Sequence, residues 1–168
     1  MANTDSNSNY STEPITEKEV VAAQIEWGNG IVHIGKVFSD GGDYVKAAED
    51  HIESLYGYDI GMVLFKPTLA SEHQFRNTFD SALSYFVGKN ETYKEDGGFA
   101  IKPWTNVRWE NAGIINGGTN MAIAMGNYYF TDTNGDETKV EYTFGYVKDL
   151  EGNLRICVHK SSLPFNPA

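Results

Sequence analysis

The chain has 168 residues, 40% of them hydrophobic and 21% charged, with a formal net charge of -10 and one cysteine, Cys157. That length supports one domain with a buried core. The acidic balance argues against a nucleic-acid partner, which needs a basic surface, and a lone cysteine excludes an internal disulfide or a multi-cysteine metal site.

Residues Met1 to Pro14 are rich in Asn, Ser and Thr and carry no basic residue. This composition reads as a disordered leader (1–14) on a cytoplasmic protein, followed by a single domain over 15–168. No apolar run approaches the roughly 20 residues that span a membrane. Thr16 and Glu19 form a capping box that opens a helix. Val20, Gln24, Trp27, Ile31, Ile34 and Phe38 recur at helical spacing and give it a buried stripe. Gly28, Gly30 and Gly35 interrupt this helix, which means either close approach by another element or a bend. Asp43 caps a second helix, Tyr44 to Leu55, with stripe Ala48, Ile52, Leu55 and a stop at Gly57. Met62 to Phe65 is a short apolar strand. Phe75, Phe79, Leu83 and Phe86 then predict a third helix over Gln74 to Val87.

Everything after Gly98 reads as β. Phe99 to Ile101 leads to Pro103, and strands follow at Val107 to Ile115, Met121 to Thr131 and Lys139 to Val147. Asn116-Gly117-Gly118 and Asn134-Gly135 are hairpin turns, because glycine and asparagine accept positive φ. Tight turns between consecutive strands predict an antiparallel meander. Helices first and strands last is the pattern of an α+β fold. Ala122, Ala124 and Gly126 share one sheet face, where small residues leave room for curvature and a pocket.

The last strand starts after the Glu151-Gly152 turn. Alternation puts Leu154, Ile156 and Val158 on one face and Arg155, Cys157, His159 and Ser161 on the other. An imidazole and a hydroxyl therefore point the same way; the competing reading is an edge strand with a polar outer face. His33, His51, His73 and His159 form no H-x-H or H-E-x-x-H pair, so a zinc site has no sequence support. There is no G-x-S-x-G elbow, and no glycine pair is followed by the lysine and hydroxyl of a phosphate loop. What remains is a hydroxyl and imidazole set of Thr68, Tyr85, His159 and Ser161.

Four segments carry a resemblance: V-L-F-K-P-T (63–68), A-L-S-Y-F-V-G (82–88), G-F-A-I-K-P-W with V-R-W-E-N (98–111), and the terminal V-H-K-S-S-L-P-F. Together they resemble the iota-class carbonic anhydrases. The resemblance implies the cone-shaped nuclear-transport-factor-2-like fold, with N-terminal helices packed on a strongly curved antiparallel sheet. It also implies interconversion of CO2 and bicarbonate at a site built from Thr68, Tyr85, His159 and Ser161, with Phe65, Phe86 and Trp104 as an apolar wall. The family's terminal H-H-H-S-S stands here as Val158-His159-Lys160-Ser161-Ser162, so the chain resembles the metal-free members, and no cofactor is expected. An ordinary imidazole pKa near 6.5 makes His159 the expected proton acceptor. The superfamily implies a homodimer through the outer sheet face. Two other activities fit the same cone: an oligomerising association module, and an isomerase or cyclase, for which Glu110 is the candidate carboxylate base.

Overall fold

The computed structural model describes residues 9–167. Helix α1 (Glu17–Ser39) opens with the expected capping box, and α2 (Tyr44–Leu55) is capped by Asp43. Strand β1 (Leu64–Lys66) and helix α3 (Phe79–Val87) follow, then β2 (Asn106–Ile115), β3 (Met121–Thr131), β4 (Glu137–Lys148) and β5 (Leu154–Ser162). The sheet order is β1-β5-β4-β3-β2. The meander β2 to β5 is antiparallel, as the tight turns require, and β1 adds in parallel against β5. The last strand is thus internal rather than an edge. Three helices cover one face of this open sheet and enclose an aromatic core.

The glycines of α1 mark close approach rather than a bend. A Cβ at Gly30 would lie 2.1 Å from His51 Nδ1 on α2, and one at Gly28 would lie 3.0 Å from the Val107 Cβ on β2. Side chains resting on the bare α1 backbone at both points let α1 lie between α2 and the sheet and aim Trp27 into the core. Helix α2 ends at Leu55, and its cap is Tyr56 in extended backbone rather than Gly57.

Two expected elements are shorter or absent, each for a local reason. Helix α3 starts at Phe79, not Gln74, because Thr78 caps it and Arg76 is drawn out of the helix. The Arg76 N–H donates to the Phe65 carbonyl (2.7 Å), and its guanidinium binds both Asp96 oxygens (2.6 and 2.7 Å). Phe99 to Ile101 is a turn, not a strand. The Phe99 and Ala100 amides donate to the Tyr85 and Phe86 carbonyls (2.9 and 3.0 Å), serving the last turn of α3.

Residues 1–8 of the expected leader lie outside the described residues. Asn9 to Pro14 sit on the domain: Tyr10 bridges Asp149, the Ser11 N–H donates to the Lys148 carbonyl (2.9 Å), and Lys148 Nζ donates to the Pro14 carbonyl (3.0 Å). Among the described residues no helix is long and apolar enough to cross a membrane.

Candidate active site

The site is built on β5, and its geometry depends on one irregularity. Gly145 pairs with Val158, but the next β4 residue, Tyr146, pairs with Ile156. Cys157 is therefore the extra residue of a β-bulge, which breaks the regular alternation read from the sequence. Tyr146, Phe144 and Tyr142 all face the core, and their partners Ile156, His159 and Ser161 join them there. Ile156 thus moves to the face of His159 instead of opposing it.

The His159 ring is 2% exposed and lies between two phenyl rings. Phe65 of β1 stacks on it with centroids 4.7 Å apart, Phe144 of β4 at 4.0 Å, and the Trp27 ring meets it edge-on at 5.5 Å. Parallel pairing of β1 with β5 sets Phe65 opposite His159. Burial pushes the His159 pKa well below 6.5, and nearby His51 adds a smaller push the same way. The imidazole is neutral across the physiological range.

Three hydroxyls meet this ring. Tyr56 OH lies 2.8 Å from Nδ1, Ser161 Oγ 3.0 Å from Nε2 and Tyr128 OH 3.2 Å from Nε2. The Tyr128 and Ser161 hydroxyls are also hydrogen-bonded to each other. The Trp27 indole N–H donates to the Tyr56 oxygen (2.9 Å). Indole nitrogen can only donate, so Tyr56 accepts there and keeps its own hydrogen for His159 Nδ1. Nδ1 then carries the lone pair, and Nε2–H points to Ser161 and Tyr128. The opposite tautomer leaves the Tyr56 hydrogen buried without an acceptor, at a cost of about 1–3 kcal/mol. Of the two hydroxyls, one donates to the other, and the second hydrogen is left for the space in front of them.

That space is small. Trp27, Phe65, Thr68, Tyr85, Phe86 and Tyr128, with His159 and Ser161, line a chamber of about 10 Å³, roughly what one water needs. All four expected polar residues are brought together here, with Phe65 and Phe86. Trp104 is not. Its indole N–H donates to the Phe99 carbonyl (3.0 Å), and its ring lines an outer cavity of about 480 Å³ that shares Thr68, Tyr85 and Phe99 with the chamber. Burial raises the Tyr85 phenol above its ordinary pKa, against a smaller downward pull from the Leu69 backbone and the Thr68 hydroxyl. Those two groups act on the Tyr85 oxygen, so its hydrogen is available to the chamber. Tyr128 is likewise raised by burial.

Sequence reasoning missed Tyr128, Tyr56 and Trp27. Tyr128 was within reach, since it continues the inward alternation of Ala122, Ala124 and Gly126. Tyr56 lies at the end of α2, where helical spacing stops being a guide. Glu110 does not serve the site: it is exposed, pairs with Arg108 (2.7 Å) and accepts from Tyr129 (3.0 Å). Among the described residues no group of three or more His, Cys, Asp or Glu side chains is arranged to hold a metal ion.

A family model described as "Metal-independent carbonic anhydrase" matches residues 18–163. The chain belongs to the metal-independent carbonic anhydrase family. A curated protein of that name from Nostoc sp. strain PCC 7120 is 47% identical over 154 residues, covering 90% of this chain and 75% of its own length. A cyanobacterial iota-carbonic anhydrase crystallised with bicarbonate superposes with a TM-score of 0.89 at 42% identity, covering 94% of this chain and 97% of that one. A nuclear-transport-factor-2-like protein from Shewanella oneidensis shares the fold at 15% identity, with a TM-score of 0.51 over 86% of this chain and 97% of its own. The iota-class resemblance and the α+β fold read from the sequence are thus both confirmed.

The tautomer assigned to this carbonic anhydrase site is measurable. Two-bond nitrogen–proton NMR spectra of the protein labelled at histidine are expected to place the His159 proton on Nε2. Tyr56→Phe should populate the Nδ1–H form while the protein stays folded. A wild-type proton on Nδ1 would contradict the assignment.

Proposed function

We propose that the chain hydrates CO2 reversibly to bicarbonate without a metal, through a neutral proton relay in the inner chamber. The observation that carries this is the Tyr56–His159–Ser161–Tyr128 array at the end of a chamber sized for one water. Free water has a pKa near 15.7, and a metal is the usual means of lowering it. A buried site faces a further obstacle, because any ion formed in it is poorly solvated. Here His159 resists protonation and Tyr85 and Tyr128 resist ionisation, each because of burial. The favoured route therefore moves protons without separating charge.

Thr68 and Ser161 hold the water in the chamber, and CO2 meets it from the outer-cavity side, where Tyr85 and Phe99 line both spaces. As the water oxygen bonds to carbon, its proton passes to Ser161 Oγ. The Ser161 hydroxyl proton passes in turn, directly or through Tyr128, to a CO2 oxygen. The product is carbonic acid, which ionises to bicarbonate on reaching water in the outer cavity. His159 donates Nε2–H to Ser161 Oγ and keeps it aimed, rather than accepting the proton as its ordinary pKa implied. Tyr85 donates to the oxygen that gains charge in the transition state. Trp104 belongs to the approach path.

The homodimer belongs to the same proposal. Ile115, Met121, Ile123 and Met125 present an exposed apolar surface on the outer sheet face, the surface a second copy would cover. Light scattering should report a dimer for the wild type and a monomer for Ile123→Lys; a monomeric wild type would remove this part.

Stopped-flow CO2 hydration tests the chemistry. Protein stripped with a chelator should retain full activity. Folded Ser161→Ala should lose about a hundredfold or more in kcat/KM, the scale of one positioned proton-transfer group. Activity that is lost on stripping and restored by a metal would contradict the relay, as would a fully active Ser161→Ala. The pH profile follows from the directions of the shifts. His159 stays unprotonated down to well below pH 6.5, and the phenols stay protonated above their ordinary range. kcat/KM for CO2 should therefore be flat between about pH 6 and 9, whereas an imidazole base of ordinary pKa would give a rise centred near 6.5.

A further inference from the structure

The outer cavity, at about 480 Å³, is far larger than CO2 or bicarbonate requires. It falls in the range of roughly 300–1,000 Å³ typical of sites for organic ligands. Its walls include Leu69, Phe99, Trp104, Phe130, Val140 and Leu163, and Thr68, Tyr85 and Phe99 line both it and the chamber. A water-sized, donor-rich space thus adjoins a wide apolar one.

Bicarbonate is a carboxylate in which a hydroxyl replaces the carbon chain. A monocarboxylate presents the same two oxygens and one charge to the chamber, with an apolar tail where bicarbonate has its hydroxyl. We propose that the two cavities together bind organic monocarboxylates with an apolar tail of several carbons, which compete with bicarbonate. The inference rests on the reading that bicarbonate is held by Thr68, Tyr85 and Ser161.

The charges around the cavity allow an anion. Lys102 lines it, with Nζ 4.5 Å above the Trp104 ring and no ion pair to a carboxylate among the described residues. Glu95 and Asp96 also line it, and both are already engaged. Asp96 is bound by the guanidinium of Arg76, which is fully buried, and by Ser84. Glu95 accepts from the backbone amides of Ser71, Glu72 and His73 at 2.8, 3.0 and 2.8 Å. The net charge of -10 gives anions no long-range attraction, so affinity comes from burying the tail.

The test is stopped-flow bicarbonate dehydration by the full chain with acetate, butyrate, hexanoate and octanoate. Inhibition should be competitive with bicarbonate. The inhibition constant should fall about threefold to fourfold for each added methylene until the cavity is full. Leu163→Asp changes an exposed position on the cavity wall. It should weaken octanoate at least tenfold while leaving uninhibited turnover and acetate inhibition unchanged. Equal inhibition by acetate and octanoate, or inhibition not relieved by bicarbonate, would overturn the proposal. Calorimetric titration of octanoate separates the two readings. Saturable binding that Leu163→Asp weakens, in a protein without turnover, would leave the carboxylate site standing and sink the hydration mechanism. Turnover without octanoate binding would do the reverse.

Discussion

One buried imidazole organises this molecule. His159 is stacked between Phe65 and Phe144, and its two nitrogens are its polar outlets. A polar ring in such a place is tolerated only if both nitrogens are satisfied. The Trp27–Tyr56 pair satisfies one side and the Ser161–Tyr128 pair the other. Because Trp27 can only donate, the hydrogen bonds from Trp27 through Tyr56 and His159 to the hydroxyl pair have their direction set from one end. The same burial that makes the ring costly keeps it neutral. It is therefore suited to orienting hydroxyls, and poorly suited to storing a proton.

The fold serves that placement at several points. The bulge at Cys157 turns His159 and Ser161 inward together with Ile156. The parallel pairing of β1 brings Phe65 over the ring and leaves Thr68 at the chamber mouth. Gly28 and Gly30 remove the side chains that would hold α1 away from the sheet and from α2, and so let Trp27 reach Tyr56. The Arg76, Glu95 and Asp96 cluster ties the segment after β1 to the loop after α3, which holds part of the outer cavity's wall in place. Losing Arg76 would leave Asp96 buried without its partner, the situation in which a buried pair matters most.

Much of the architecture was legible because it rests on local chemistry. The caps at Thr16 and Asp43 act within one turn of chain, and the hairpins at Gly117-Gly118 and Gly135 follow from positive φ, which each of these glycines adopts. The start of α3 was not legible, because Arg76 leaves the helical pattern for carboxylates about twenty residues away. The Cys157 bulge was also hidden, since it is a property of two paired strands and leaves no mark on either alone. Of the chamber lining, the polar residues inside recognisable motifs were expected: Thr68, Tyr85, His159 and Ser161. Tyr56 and Trp27 were not, because their role arises only where α1, α2 and β5 meet. The role proposed for His159 departs from the sequence expectation for a similar reason. Its ordinary pKa is a property of the residue in water, and its actual one belongs to the stack of rings around it.

The most direct test is a proton inventory on kcat/KM for CO2 hydration, measured by stopped flow on chelator-treated protein in mixtures of light and heavy water. A neutral relay through Ser161 and Tyr128 moves two or more protons in the transition state, so the plot against deuterium fraction should bow downward. A straight line, meaning a single proton passed to one base, or no solvent isotope effect at all, would contradict the relay.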